Sequence, residues 1–250
     1  MRALVTGGGR GLGRVVARSL SHAGWHVAVT GRDAATLEEA VDAGDAHLAL
    51  AGDATERDAV AAAVEVAGPL DLLVANAGRF GTGGALWEID PDDWWRDIEV
   101  NLRSVALALW AGLPGMVRRG SGRVVALGSG FGNTAAPYGT GYGVGKAAVH
   151  RLVESVALEL AGTGVTAFSV SPGRVKTDMT LGFPKAFTDA HPAMLEPPAG
   201  GWAPPEALAA LVARIASGEL DALSGRFLHV TADLPLVPGP DEGTLRLVGW

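Results

Sequence analysis

The sequence predicts an α/β fold: a doubly wound parallel sheet of about seven strands with helices on both faces. Three observations predict it. Short apolar runs alternate with longer amphipathic ones from the first residue onward. The short runs are apolar on both faces, as in strands sandwiched between layers. Helical stretches join one run to the next, which is the crossover connection that parallel pairing needs. The composition agrees: 250 residues, 48% hydrophobic and 19% charged, suit one large domain over 1–250 and argue against disorder.

The elements follow in order. Ala3-Leu4-Val5 is a buried strand, followed by glycines and a helix over 12–22. Strands at 26–30, 47–50 and 70–74 alternate with helices at 34–41 and 56–66. A long helix over 91–117 is expected to break near Pro114. Then come a strand at 123–127, a helix at 143–160, a strand at 165–170, a helix at 207–216 and a strand at 226–230. Residues 233–240 read as irregular. The segment 179–205 breaks the alternation with six prolines and carries Met179, Phe183, Phe187, Met194 and Trp202. It reads either as a lid or as a loop packed on its own domain.

Composition excludes several functions. The net charge of −7 opposes binding of nucleic acid or anionic membrane through a global field. The absence of cysteine removes thiol catalysis, disulfides and cysteine metal sites, and no histidine falls in a zinc motif, so no metal is expected. The N-terminal residues lack a signal-peptide core, and the apolar stretch 105–117 is too short to span a bilayer, so a cytoplasmic protein is expected. Glycine is abundant, 36 residues, which implies several tight turns or close backbone approaches.

Sheets of this kind bind ligands beyond the carboxyl ends of their strands, and candidate chemistry gathers there. Thr6-Gly7-Gly8-Gly9-Arg10-Gly11-Leu12-Gly13 links the first strand to the first helix. Glycines there admit a pyrophosphate to the backbone and to the helix N-terminus, although glycines also make ordinary turns. Tyr142 and Lys146, four apart, share one helical face. An ammonium beside a phenol lowers its pKa and fits it for proton exchange; the plain alternative is an aromatic cap on a lysine stem. Ser129, just past the fifth strand, is either a hydrogen-bond donor to substrate or a turn former. Asn101, inside the long helix, is either a water anchor or a structural hydrogen bond. Walker and nucleophile-elbow patterns fail on inspection.

Together these motifs resemble the short-chain dehydrogenase/reductase family in its compact single-domain, Rossmann-type branch. The matches are Thr6-Gly7-x-x-x-Gly11-x-Gly13, Asp53, Asn76-Ala77-Gly78, Asn101, Ser129, Tyr142-x-x-x-Lys146 and Pro172-Gly173-x-x-x-Thr177, in family order. Ala75 stands where a second asparagine is frequent and Gly128 where a serine often precedes the catalytic one. The resemblance implies that Tyr142 is the acid/base, that Lys146 lowers its pKa and binds the nicotinamide ribose, that Ser129 orients the carbonyl and that Asn101 holds a relay water. It implies a phosphate loop of Gly7, Arg10, Leu12 and Gly13. It also implies that Asp53, with Ala54 beside it, meets the adenine, that Asn76 meets its ribose, and that Val175 and Thr177 hold the carboxamide and phosphates.

An acidic residue closing the second strand would favour NAD; that slot is Gly31, followed by Arg32, with Arg10 in the glycine loop. Two guanidiniums suit a 2′-phosphate, so NADP(H) is expected over NAD, unless both arginines simply face solvent. The expected reaction is carbonyl reduction of a mostly apolar ketone, or the reverse oxidation of an alcohol. A 3-oxoacyl thioester on an acidic carrier would dock on Arg118, Arg119 and Arg123, which otherwise form a solvated turn. Rival readings are an NAD-dependent alcohol dehydrogenase, a catalytically silent NADP-binding sensor and a nucleotide-fold methyltransferase. The resemblance further implies a homotetramer or homodimer on the helices near 94–118 and 143–160, where Trp110 and Leu152 are apolar.

Overall fold

The computed structural model describes residues 1–198 and 200–231; the expected irregular segment at 233–240 lies outside them. The chain opens with β1 (Arg2–Thr6), α1 (Gly11–His22), β2 (His26–Gly31), α2 (Ala34–Asp42), β3 (Leu48–Ala51), α3 (Arg57–Ala67) and β4 (Leu72–Ala75). It continues with α4 (Pro91–Ile98), a π-helical turn (Glu99–Arg103), α5 (Ser104–Arg119), β5 (Gly122–Leu127), α6 (Thr140–Glu159) and β6 (Val165–Ser171). The last described elements are α7 (Asp178–Leu181), α8 (Lys185–Ala190), α9 (Pro205–Ala216) and β7 (Phe227–His229).

The seven strands form one sheet in the order β3-β2-β1-β4-β5-β6-β7, every pair parallel. Strand side chains alternate between two cores. Ala3, Val5, Val27 and Val29 pack with Val16 and Leu20 of α1 and with Leu208, Val212 and Ile215 of α9. Leu4, Ala28, Leu73 and Val124 pack on the other face with Val105, Leu109 and Met116 of α5 and with Val149 and Val153 of α6. This is why the strands read as unbroken apolar runs. The chain turns from β1 toward β2 on one side and from β4 toward β5 on the other. That reversal leaves a crevice at the carboxyl ends of β1 and β4.

Two expectations about the long helix are corrected. It does not break at Pro114, which lies inside α5 at an exposed position, four residues after exposed Trp110, whose carbonyl loses its N–H partner and is open to solvation. The irregularity falls instead at the π-helical turn, which carries Asn101. The continuous helix Pro91–Arg119 is 29 residues, and an 18-residue window within it has a mean hydropathy of 1.3, long and apolar enough by length and composition to cross a membrane. In this fold its apolar stripe is spent on the sheet.

Candidate active site

The glycine loop is shaped by its neighbours. Gly7 and Gly11 take positive φ, +65° and +53°. A Cβ at Gly13 would lie 2.2 Å from the Gly7 carbonyl oxygen and 2.5 Å from Asn76 Nδ2, so α1 packs on the loop only because that side chain is missing. At Gly11 nothing stands within 4 Å, and no side chain caps α1 at Arg10. Uncapped helix amides facing open space are a cradle that fits a dinucleotide pyrophosphate. A cleft of about 330 Å³ opens there, lined by Gly11, Leu12, Lys176, Thr177 and Pro205 among others. Arg10 is exposed and lies 3.7 Å from Asp178.

Thr6 and Asn76 tie β1 to β4. Thr6 Oγ1 accepts the amides of Asn76 and Ala77, both at 3.0 Å, and Asn76 Nδ2 donates to the carbonyls of Thr6 and Gly7. Thr6, Asp53 and Ala54 line one narrow pocket at the ends of β1 and β3. Burial raises the Asp53 pKa, but hydrogen bonds from the Thr55 amide and hydroxyl, with Arg32 and Arg96 nearby, bring it below the ordinary value. Arg32 is exposed beyond β2, and Asp33 is spent capping α2. Beyond β6, the Pro172-Gly173 turn has Gly173 at φ +71°, Val175 is buried, and Thr177 caps α7.

The reactive groups converge beyond β4 and β5. Tyr142 and Lys146 are buried in the first turns of α6. Lys146 Nζ donates to the Leu127 carbonyl at 2.6 Å and lies 5.7 Å from the Tyr142 ring centre. A Cβ at Gly78 would meet Asn101 Oδ1 at 2.8 Å and Lys146 Nζ at 3.6 Å, so these three positions adjoin. Ser129 forms the turn that the sequence allowed. Its Oγ caps the 3-10 turn Gly130–Gly132 through the Phe131 amide at 3.2 Å, and its hydroxyl faces the Tyr142 phenol.

The expected direction of the phenol's pKa is corrected: burial pushes Tyr142 above 10, and the Ser129 hydrogen bond only partly offsets it. Lys146 is itself drawn down to about 8 by burial. Asn101, wholly buried, spends its side-chain amide on the carbonyls of Arg79 and Asp97, at 2.6 and 2.7 Å, and accepts from the Arg79 amide. It sits in the π turn rather than in regular helix.

The sequence reading missed several residues. Phe80 stacks on Tyr142, ring centres 4.7 Å apart and 4° from parallel. Phe131, also missed, packs on the same cluster with Phe183 and Met194, and Phe187 at its centre is wholly buried; these last three belong to the 179–205 segment that the sequence singled out. Thus the segment containing α7 and α8 lies over the phenol. The Phe80 loop is anchored by Asp97, wholly buried, which pairs with Arg79 Nε at 2.7 Å and accepts the Gly81 and Thr82 amides. The Asn-Ala-Gly turn just upstream was a usable signal for this loop; Asp97 had none, because a lone aspartate on a helix looks solvated.

The family model described as short chain dehydrogenase matches residues 1–186. The chain belongs to the short-chain dehydrogenases. A 3-oxoacyl-[acyl-carrier-protein] reductase of Haemophilus influenzae is 34% identical over 245 residues, 94% of this chain and 98% of that one. A short chain dehydrogenase of Pseudocercospora fijiensis is 39% identical over 186 residues, 71% of this chain but 60% of that one. Among solved structures, a candidate NAD(P)-dependent gluconate 5-dehydrogenase from Beutenbergia cavernae, with NADP bound at low occupancy, superposes with a TM-score of 0.80. It shares 30% identity and covers 91% of this chain and 94% of its own. As a short-chain dehydrogenase, this chain is an oxidoreductase that uses a nicotinamide cofactor on small molecules.

The arginine cluster that reads either as a carrier-protein dock or as a solvated turn sits at the opposite end of the sheet. Arg123, second residue of β5, is paired with Asp221 at 2.6 Å, and Arg119 is bound to the carbonyls of Gly115 and Leu70.

Proposed function

We propose that this short-chain dehydrogenase is a single-domain NADP(H)-dependent reductase of small, mostly apolar ketones. The observation that carries the reading is a buried phenol, a buried ammonium and a serine hydroxyl meeting beneath a roof of phenylalanines. When bound, the nicotinamide supplies the hydride to the carbonyl carbon. Tyr142, kept protonated by burial, gives its proton to the carbonyl oxygen. Ser129 donates to the same oxygen and orients it. Lys146 stabilises the phenolate that remains and binds the nicotinamide ribose. Asn101 holds the turn from which a water connects Lys146 to solvent.

Gly7, Arg10, Gly11, Leu12 and Gly13 would hold the cofactor's phosphates, Asp53 and Ala54 its adenine, and Thr6, Asn76, Ala77 and Gly78 its adenine ribose. Pro172, Gly173, Val175 and Thr177 close over the nicotinamide end. Arg32, unopposed by a carboxylate at Gly31, supports NADP over NAD, as does the NADP in the Beutenbergia structure. A free ketone is favoured over a carrier-bound 3-oxoacyl thioester, because Arg119 and Arg123 are engaged far from the phenol. Exposed Trp110, Val144 and Leu158 on α5 and α6 support a homodimer or homotetramer through these helices.

The test is NADPH consumption by the purified chain with cyclohexanone, acetophenone, ethyl acetoacetate and acetoacetyl-CoA. Turnover of the apolar ketones, with NADPH preferred to NADH, is expected. Tight NADPH binding with no turnover of any of them would establish a silent binder instead.

A further inference from the structure

One buried titratable side chain beside the site has no role in the steps described above. His150 stands one turn after Lys146 in α6 and is 5% exposed. Both of its ring nitrogens are engaged. Nδ1 lies 2.9 Å from Asn133 Oδ1, a carbonyl oxygen that can only accept, so Nδ1 carries the proton. Nε2 therefore holds the lone pair and accepts the main-chain N–H of Ser129 at 3.3 Å. The Gly128 amide just before it donates to the Val170 carbonyl at 2.8 Å. Where the β5–β6 ladder runs out, the imidazole takes over.

The surroundings leave room for this ring. A Cβ at Gly128 would lie 2.4 Å from His150 Nε2, and one at Gly132 2.6 Å from its Cε1. Phe227 covers the ring from β7, centres 4.4 Å apart. Burial, with the Lys146 charge nearby, holds the His150 pKa at about 4, so the ring stays neutral and keeps its lone pair at neutral pH.

We propose that His150 is a positioning residue for the reaction: its Nδ1–H bond to Asn133 fixes the tautomer with which Nε2 grips the Ser129 amide and sets the serine hydroxyl opposite Tyr142. Tyr142, Lys146 and His150 lie at four-residue intervals on one face of α6. Hence the serine's backbone is tied to the same helix that carries the phenol. This rests on the reading of Ser129 as the group that orients the carbonyl.

The test compares His150→Gln, His150→Asn and His150→Leu in the full chain, with NADPH and the four carbonyl compounds named above. A Gln side-chain oxygen reaches the Nε2 position and can accept from Ser129. An Asn side chain reaches only the Nδ1 position and offers Ser129 nothing. Leu offers neither. The expected kcat falls about tenfold in the Asn and Leu variants, the worth of one hydrogen bond, with NADPH Kd and KM for the ketone little changed. The Gln variant recovers to within about threefold of the parent. A role in packing alone would lower Tm and leave Gln and Asn alike in kcat, and that equality overturns the proposal. So does a parent-like kcat in His150→Asn. Ser129→Ala separates the two readings. If it keeps its turnover, or if the parent turns over none of the four compounds, the reading of the site fails and this proposal with it. If Ser129→Ala is inactive while His150→Asn is not, the proposal fails alone.

Discussion

On the glycine-loop side of the site, the fit is made by backbone and short side chains; on the aromatic side, it is made by large rings. Gly7, Gly11 and Gly13 shape the first, and Thr6 and Asn76 lock β1 to β4 with bonds of about 3 Å. Phe80, Phe131, Phe183 and Phe187 shape the second, and they come from three separate segments. The first region is specified by where the chain lacks atoms, the second by where it has them in excess. A backbone cradle suits a ligand that is the same in every turnover. A roof of side chains can be altered by single substitutions without disturbing the sheet beneath it.

That contrast can be broken or sharpened by measurement. The largest effect is expected at the seam. Tyr142→Phe should lower kcat about a thousandfold, the middle of the range for a general acid, with NADPH Kd unchanged by fluorescence titration. Retained turnover would mean that another group donates the proton. Phe187→Ala should cost about 3–4 kcal/mol in a denaturant titration, because it empties the centre of the aromatic cluster. It should raise KM for acetophenone yet leave NADPH Kd alone, and a change in NADPH Kd would erase the division between the two sides.

Acid comes next. The folded pKa of His150 is about 4 against an ordinary 6.5, so between those values the unfolded chain binds more protons than the native one. Stability should therefore be full above about pH 6.5 and fall by about 3 kcal/mol as the pH drops toward 4, and His150→Leu should flatten that part of the profile. An unchanged slope in His150→Leu would assign the acid sensitivity elsewhere. On the glycine side, Gly13→Ala forces a Cβ into the Gly7 carbonyl oxygen. A cost of about 2 kcal/mol, felt mainly as weaker NADPH binding, is expected by calorimetry. The smallest effect is Arg32→Ala, which should weaken NADPH by about tenfold and NADH hardly at all. Equal losses for both cofactors would remove Arg32 from the 2′-phosphate.

The same contrast explains how much was legible in advance. Strand and helix positions came through within one to three residues at most ends, because periodicity is local. Tyr142, Lys146, Ser129 and the glycine loop were visible as motifs because their spacing is itself the signal. Phe80 was not, since a phenylalanine after a turn has no pattern that says it will lie flat on a tyrosine 62 positions later. Pro114 misled because a proline marks a lost hydrogen bond and not by itself a helix end, and at its exposed position in α5 the freed Trp110 carbonyl is open to solvent.

What the amino-acid sequence determined by itself is the succession of strands and helices along the chain, the end of the sheet where the candidate site residues gather, and the inventory of reactive groups. These rest on turn chemistry and short-range periodicity. What only the tertiary structure decided is the company each group keeps. It set Asp97 under Arg79, His150 behind Ser129 and the phenylalanine roof over Tyr142. It also reversed the expected shift of the phenol, since a pKa is fixed by burial and by neighbours distant in the chain, and neither is written in spacing.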